Sequence, residues 1–206
     1  MTKENTLYFG DNLDVLRRHI PDASVDLVYL DPPFNSNASY NILFKEHDGA
    51  RAASQIKAFE DSWRWDANAA LTYQETVESG GKISETLQAF RKLVGESDML
   101  AYLSMMAPRL QELKRVLRPS GSIFLHCDPT ASHYLKLLMD AVFGPKHFRN
   151  EIIWQRTNAK GLAFTRFASN HDVLLWSTKE DACTWHPQYS PHDPEYVRKF
   201  YRYVEP

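Results

Sequence analysis

Few folds accommodate the segment VDLVYLDPPF at residues 25–34, in which an almost uninterrupted apolar stretch runs directly into an acid and two prolines. Branched and aromatic side chains in such a stretch are typical of a strand buried in a parallel sheet. Two successive prolines fix two φ angles and remove two backbone donors, so the strand ends there. The segment therefore predicts an α/β fold with a buried strand at 25–30, and Asp31 lies at the carboxyl end of that strand.

The rest of the chain alternates between strand and helix patterns. The predicted elements are a strand at 6–9, a helix at 11–20 capped by Asp11, a helix from 98 to a stop at 119–121, a strand at 122–126, a helix at 132–143, and strands at 151–155 and 172–177. The last two strands have no helix between them, which indicates an antiparallel edge strand in an α/β sheet. Residues from about 35 to 97 are hard to interpret beyond a helix at 85–93, and we expect an insertion or an active-site flap there.

Composition narrows the class of protein further. A chain of 206 residues that is 43% hydrophobic is enough for one globular domain. It contains no apolar run near the roughly 20 residues that a membrane span requires, and its N-terminus does not resemble a signal peptide. We therefore expect a soluble cytoplasmic protein without membrane contact. Two cysteines are too few for a disulfide framework or a cysteine-rich zinc site.

The charge distribution leaves two interpretations open. A net charge of −2 argues against a protein that coats nucleic acid by bulk charge. Residues 146–179 nevertheless carry six Lys or Arg residues against two Asp or Glu residues. This stretch is either a local basic surface for nucleic acid or an ordinary solvated face.

The chemistry of the 31–34 segment favours an amino group as its ligand. Ligands of open α/β sheets bind beyond the carboxyl ends of the strands, where Asp31 is expected. The prolines offer carbonyl oxygens but no N–H groups, so the segment accepts hydrogen bonds. An amine on a flat heterocycle suits this arrangement, with its N–H groups on Asp31 and a proline carbonyl and its ring stacked on Phe34. Such acceptors would free the nitrogen lone pair for attack on an electrophile.

Asp31-Pro32-Pro33-Phe34 resembles the catalytic (D/N/S)-P-P-(Y/F/W) motif of DNA amino-methyltransferases, which transfer a methyl group from S-adenosylmethionine to adenine N6 or cytosine N4. The similarity extends to residues 10–37, 115–144, 148–161 and 171–179, which look like the N-terminal half of the β-arrangement enzymes of bacterial restriction-modification systems, including type III modification subunits. The resemblance implies a Rossmann-like methyltransferase sheet, with residues 1–206 as its catalytic half. Double-stranded DNA is the implied substrate, and a restriction subunit is an implied partner.

The resemblance also implies roles for individual residues. Asp31 and the Pro33 carbonyl orient the target amine, while Phe34 stacks on the base. Asp at the first position of the motif favours adenine N6 over cytosine N4. The remaining implied assignments are Asp11 near the cofactor, His126 and Asp128 beside the catalytic pocket, and Lys160 and Arg166 in the loop that holds a flipped base.

One departure from the family pattern affects the functional prediction. The glycine-rich F-x-G-x-G loop that wraps the methionine part of the cofactor does not occur in these 206 residues. In the β arrangement this loop and the target-recognition region lie further toward the C-terminus. The chain is therefore expected to have little activity alone and to need a C-terminal half or a partner chain.

Several alternatives remain at this level. Instead of an adenine methyltransferase, the chain could be a non-catalytic truncated or split-enzyme subunit, or a cytosine N4 methyltransferase. A methyltransferase acting on protein glutamine or RNA ranks lower, since those enzymes typically have Asn at the first motif position. His126 and Cys127 have no second His or Cys pair at ligand spacing, so no metal is assigned. Trp63, Trp65 and Trp154 either belong to the core or stack on bases.

Overall fold

The computed structural model describes residues 5–33, 63–156, 167 and 170–201. Its helices are α1 Asn12–His19, α2 Ala67–Glu78, α3 Gly81–Val94, α4 Asp98–Val116, α5 Pro129–Phe143 and α6 Pro194–Phe200, with a 3₁₀ turn at Pro145–His147. Its strands are β1 Val25–Leu30, β2 Leu117–Cys127, β3 Phe148–Gln155 and β4 His171–Thr178. The predicted α/β class is therefore confirmed. None of the helices in these ranges combines the length and the apolar character needed to cross a bilayer.

The four strands form one mixed sheet in the order β1-β2-β4-β3. β1 and β2 are parallel, while β4 runs antiparallel to both of its neighbours. The outer strand β3 thus pairs in antiparallel fashion, as the two late strand patterns predicted. With this topology, the carboxyl ends of β1, β2 and β3 meet the amino end of β4 at one edge of the sheet.

The core lies between one face of the sheet and the helices. Helix α4 is central, with apolar side chains at helical spacing that are fully buried, among them Leu100, Leu103, Met106 and Leu110. From the sheet, Ile123, Leu125 and Leu175 are likewise inaccessible to solvent. Helix α5 covers the same face through Leu135 and Leu138. The sheet is therefore closed by helices on this face.

Helices α2 and α3 occupy part of the stretch where the sequence was hard to interpret. The predicted helix at 85–93 is confirmed and extended to 81–94, whereas α2 was not predicted. Asp66 caps α2 by accepting a hydrogen bond from the Ala69 amide at 2.9 Å. Tyr73, Leu87 and Phe90 are buried against the core. Residues 34–62, which include the rest of the proposed insertion, lie outside the described residues.

Two local predictions are wrong. Residues 6–9 form no strand, and Leu7 and Phe9 are almost fully exposed, because no described strand lies beside them to satisfy their backbone groups. The predicted stop at 119–121 is instead part of β2, since α4 already ends at Val116. Here the β1–β2 register shifts, and a Cβ on Gly121 would lie 3.2 Å from the Asp26 carbonyl oxygen. The same Cβ would lie 2.9 Å from the Arg118 carbonyl oxygen within β2, so any residue other than glycine would force the backbone to shift.

Strand β1 is less buried than its sequence predicted. Leu27 is 58% exposed and Tyr29 is 52% exposed, both on the face of the sheet opposite to α4 and α5. Within the described ranges, β1 pairs with β2 along one edge only. Among the described residues, one edge and one face of β1 are therefore left open, although its composition suits a strand covered on both sides.

Candidate active site

Four strand ends bring polar side chains together at one edge of the sheet. Asp31 directly follows β1, and His126 lies opposite it near the end of β2, because Leu30 pairs with Leu125. Asp172 near the start of β4 pairs with Trp154 near the end of β3. The cluster is thus assembled by strand register, from residues that lie far apart in sequence.

His126 lies at the centre of this cluster. Its Nδ1 atom is 3.3 Å from Asp31 Oδ1 and 3.3 Å from the Tyr29 hydroxyl oxygen. The Asp31 side chain is 60% exposed, whereas that of His126 is 13% exposed. A carboxylate that faces solvent therefore contacts a half-buried imidazole on its inner side.

A second carboxylate lies on the other side of His126. The Nε2 atom of His126 is 3.5 Å from Asp172 Oδ2, and the Asp172 side chain is 10% exposed. Arg156 donates from Nε to Asp172 Oδ2 at 2.7 Å and also pairs with Oδ1. A carboxylate this buried requires a partner, and the Arg156 guanidinium provides one. The Trp154 ring stacks on His126 with a centroid distance of 5.7 Å and an interplanar angle of 14°.

The two carboxylates also affect Tyr29. Burial, followed by the negative charges of Asp31 and Asp172, raises the pKa of the Tyr29 phenol above its ordinary value. The hydroxyl group therefore keeps its proton at neutral pH and can donate to His126 or to a ligand.

The other site residues predicted from the sequence are distributed differently. Pro32 and Pro33 are half-buried next to Asp31, while Phe34, Lys160 and Arg166 lie outside the described residues. Asp128 caps α5, accepting from the Ala131 amide at 3.0 Å. Asp11 caps α1 and binds the Arg109 guanidinium at 2.7 and 2.8 Å. These contacts account for Asp128 and Asp11 structurally, and their implied roles toward DNA and cofactor stay predictions.

Sequence reasoning missed Asp172 and Arg156 as members of the site. The available signal was an acid at the start of the otherwise apolar segment HDVLLWST, residues 171–178, where a lone charge needs a buried partner. Trp154, left open between core and base stacking, is 54% exposed beside His126. Trp63 and Trp65 pack against the core.

Cys127 follows His126 but faces the core. It is fully buried, and burial, aided by Asp128, Glu151 and Asp172, raises the pKa of its thiol to about 12. Both cysteines are free, and Cys183 is partly accessible. Among the residues that the structure describes, no group of three or more His, Cys, Asp or Glu side chains is arranged to hold a metal ion.

This burial predicts a large difference in thiol reactivity. Since the thiolate is the reactive species, only about 10⁻⁴ of Cys127 is reactive at pH 8. In the native protein we expect a thiol reagent to label Cys183 within minutes and Cys127 only after denaturation. Peptide mass spectrometry locates the label, and rapid native labelling of Cys127 would contradict the packing described here.

Comparisons with known proteins place the chain in a family. The profile of the N6_N4_Mtase family, described as DNA methylase, matches residues 25–204. The chain is 32% identical over 201 residues to the StyLTI Mod subunit of a Salmonella typhimurium type III restriction-modification enzyme, covering 96% of this chain and 27% of the relative. It is 23% identical to the type II methyltransferase M.EcaI of Enterobacter cloacae, covering 96% of this chain and 34% of that protein. PvuII DNA methyltransferase, described as cytosine-N4-specific, superposes with a TM-score of 0.48 at 12% identity, covering 93% of this chain and 60% of that one.

The structure therefore has an α/β sheet with one reversed strand, and an acid and two prolines follow the parallel strand β1. The chain belongs to the DNA methylase family, because the family profile spans most of its length and includes the Asp31-Pro32-Pro33 site. The predicted resemblance is thereby confirmed. The chain spans about a quarter to a third of the length of the two curated relatives described above.

Proposed function

We propose that this chain is the catalytic half of a site-specific DNA methyltransferase that transfers a methyl group from S-adenosylmethionine to adenine N6. The observation that supports this most is the exposed Asp31 carboxylate, fixed at the carboxyl end of β1 against His126 and followed by two prolines. Family membership supplies the reaction type, and the geometry supplies an acceptor aimed at solvent. Two relatives are named as Mod subunits of type III restriction-modification enzymes, and Asp at the first position of the motif, by the resemblance described above, favours adenine.

In this proposal the chain acts on the acceptor side of the reaction. The target base leaves the duplex at a cost of a few kcal/mol and its exocyclic amine donates to Asp31 and to the Pro33 carbonyl. Phe34 stacks on the ring. Two acceptors on the amine localise its lone pair, and the carboxylate stabilises the positive charge that develops on nitrogen.

These 206 residues provide only part of the site for the methyl donor. S-adenosylmethionine would supply an electrophilic methyl group on a sulfonium centre. As the amine nitrogen bonds to the methyl carbon, the methyl–sulfur bond would break, S-adenosylhomocysteine would leave, and one proton of the amine would pass to solvent. The Asp31 edge suits the acceptor amine, but the chain has no F-x-G-x-G sequence to hold the methionine part. We therefore propose that residues outside this chain, in the same polypeptide or in a partner, pair with the open edge of β1 and cover Leu27 and Tyr29.

This division of the site predicts weak cofactor binding by the isolated chain. Isothermal titration of S-adenosylmethionine into the 206-residue protein should give no saturable heat at micromolar concentrations, because the glycine loop is missing. S-adenosylhomocysteine, titrated in parallel, shows whether the methyl group matters. Micromolar binding would mean that the chain builds its own cofactor site.

Double-stranded DNA is the proposed macromolecular substrate, and the cytoplasm is the proposed location because bacterial DNA lies there. The names of three relatives describe Mod subunits of type III restriction-modification enzymes. By analogy, we propose a restriction subunit as a partner of the complete protein.

Nucleoside mass spectrometry tests the proposal directly. The gene is expressed with its flanking reading frames in a host that lacks DNA methylation, and the DNA is hydrolysed. N6-methyladenine, lost on Asp31→Ala, is the expected result. N4-methylcytosine would instead favour the cytosine alternative. If both methylated nucleosides are absent, the chain is better explained as a non-catalytic subunit.

A further inference from the structure

We propose that His126 is the positioning residue for Asp31, and that Asp172 and Arg156 hold His126 in the orientation this requires. The proposal rests on the proposed function, in which Asp31 receives the target amine. It adds a line of three side chains, from β2, β4 and the residue after β3, of which the sequence indicated only His126.

The strand register makes this line possible. Asp31 follows β1 and lies beside His126, whose neighbour Cys127 pairs with Val173 next to Asp172. Imidazole nitrogens lie 1,3 on the ring, so a histidine between two carboxylates can contact both at once. The observed distances are 3.3 Å from Nδ1 to Asp31 and 3.5 Å from Nε2 to Asp172.

The exposure of the four groups falls and then rises along this line. The Asp31 side chain is 60% exposed, His126 is 13% exposed, Asp172 is 10% exposed and Arg156 is 44% exposed. The two least exposed side chains, His126 and Asp172, therefore lie between the more exposed Asp31 carboxylate and Arg156 guanidinium. In such an arrangement a buried carboxylate next to the imidazole restricts the orientation of the ring.

Two further contacts restrict the imidazole ring. Trp154 lies against its face, nearly parallel at 14°, and Tyr29 places its hydroxyl oxygen 3.3 Å from Nδ1. The ring is thus limited in rotation by Trp154 and in tilt by contacts at both nitrogens. The groups that bear charge or titrate around His126 are Tyr29 and Asp31 on the β1 side, Asp172 on β4 and Arg156 after β3.

A positioning residue is useful here because of where Asp31 lies. A carboxylate that is more than half exposed at a strand end has three staggered χ1 rotamers available. Only a rotamer that directs an oxygen toward the amine supports reaction, and a misplacement of about 1 Å can reduce the rate about 10²-fold. Contact with a fixed imidazole selects one rotamer before substrate binds.

The first test is structural and needs no activity. Three-bond NMR couplings of Asp31 in the 206-residue chain report whether χ1 has one value or an average. We expect one rotamer in the wild type and averaged couplings in His126→Gln. Averaged couplings in the wild type, or unchanged couplings in His126→Gln, would overturn the proposal.

Two substitutions separate positioning of Asp31 from simple packing. The amide nitrogen of asparagine takes the place of Nδ1, whereas that of glutamine takes the place of Nε2. His126→Asn should therefore preserve the Asp31 rotamer, and His126→Gln should not. The opposite order would mean that His126 acts only through Asp172. His133→Gln, an exposed histidine on α5, is the matched control and should change nothing.

Kinetics of the complete methyltransferase provide the second test. We expect His126→Gln to lower kcat by about 10- to 100-fold with KM for DNA changed less than about twofold, and His126→Asn to recover most of the loss. An unchanged kcat in His126→Gln would overturn the proposal. If no methyl transfer occurs even in the wild type, the proposed function fails, while the Asp31 couplings still decide whether His126 positions Asp31.

Discussion

Replacing Asp31 with alanine is expected to abolish methyl transfer, lowering kcat by about 10²–10³-fold or more. The substitution removes the carboxylate proposed to accept from the amine and to stabilise the charge that develops on nitrogen. DNA affinity should change less than about threefold, because phosphate contacts elsewhere supply most of it. Transfer of a radioactive methyl group to DNA by the complete protein, with filter binding in parallel, measures both quantities.

Asp26→Ala is the matched control for this experiment. Asp26 lies on the same strand, its side chain is 68% exposed, and it pairs with Arg118 at 2.6 Å on the surface. Both variants lose an exposed carboxylate and should fold normally, since surface ion pairs contribute little to stability. Only Asp31→Ala should lose activity. Retained turnover in Asp31→Ala would show that another group orients the amine.

Much of the fold could be predicted because its signals are local. Helix α4 shows its buried side chains at helical spacing, and α1 shows both its spacing and its Asp11 cap. Strand β1 has its predicted bounds at both ends, Val25 and Leu30, because the two prolines that follow Asp31 prevent the strand from continuing. The Asp-Pro-Pro segment is likewise a local signal, because three consecutive residues indicate both the end of a strand and a group that accepts hydrogen bonds.

The wrong or missing predictions involve contacts between distant parts of the chain. Residues 6–9 have strand-like composition, yet a strand exists only beside a partner. Helix α2 is weakly amphipathic and is held by burial of Tyr73 against the core, which its own sequence does not show. The exposure of Leu27 and Tyr29 depends on what lies beside β1.

In the candidate site, too, the sequence indicated the residues with local signals and missed those that depend on contacts between distant strands. Asp31 and His126 each follow an apolar strand pattern, so the sequence placed both at strand ends. Their pairing with Asp172 and Arg156 depends on the reversed direction of β4, which brings the start of that strand to the ends of the others. Topology therefore completed a cluster that spacing alone did not indicate.

Leu125→Ala is expected to reduce the free energy of unfolding by about 2–5 kcal/mol. Leu125 is fully buried in β2, where it pairs with Leu30 on one side and Leu175 on the other. Truncation leaves a cavity between the sheet and the helices that rigid neighbours fill only in part. Urea denaturation followed by far-UV circular dichroism measures the change as a lower midpoint with an unchanged slope.

Leu137→Ala makes the same substitution on α5 at a side chain that is 53% exposed, and should cost less than about 1 kcal/mol. Equal losses in the two variants would contradict the assignment of Leu125 to the core. The site gives a second readout, because Leu125 immediately precedes His126 and pairs with the residue before Asp31. If β2 is the rigid support that aligns these two side chains, Leu125→Ala should also average the Asp31 couplings under conditions where the protein remains folded, whereas Leu137→Ala should leave them unchanged.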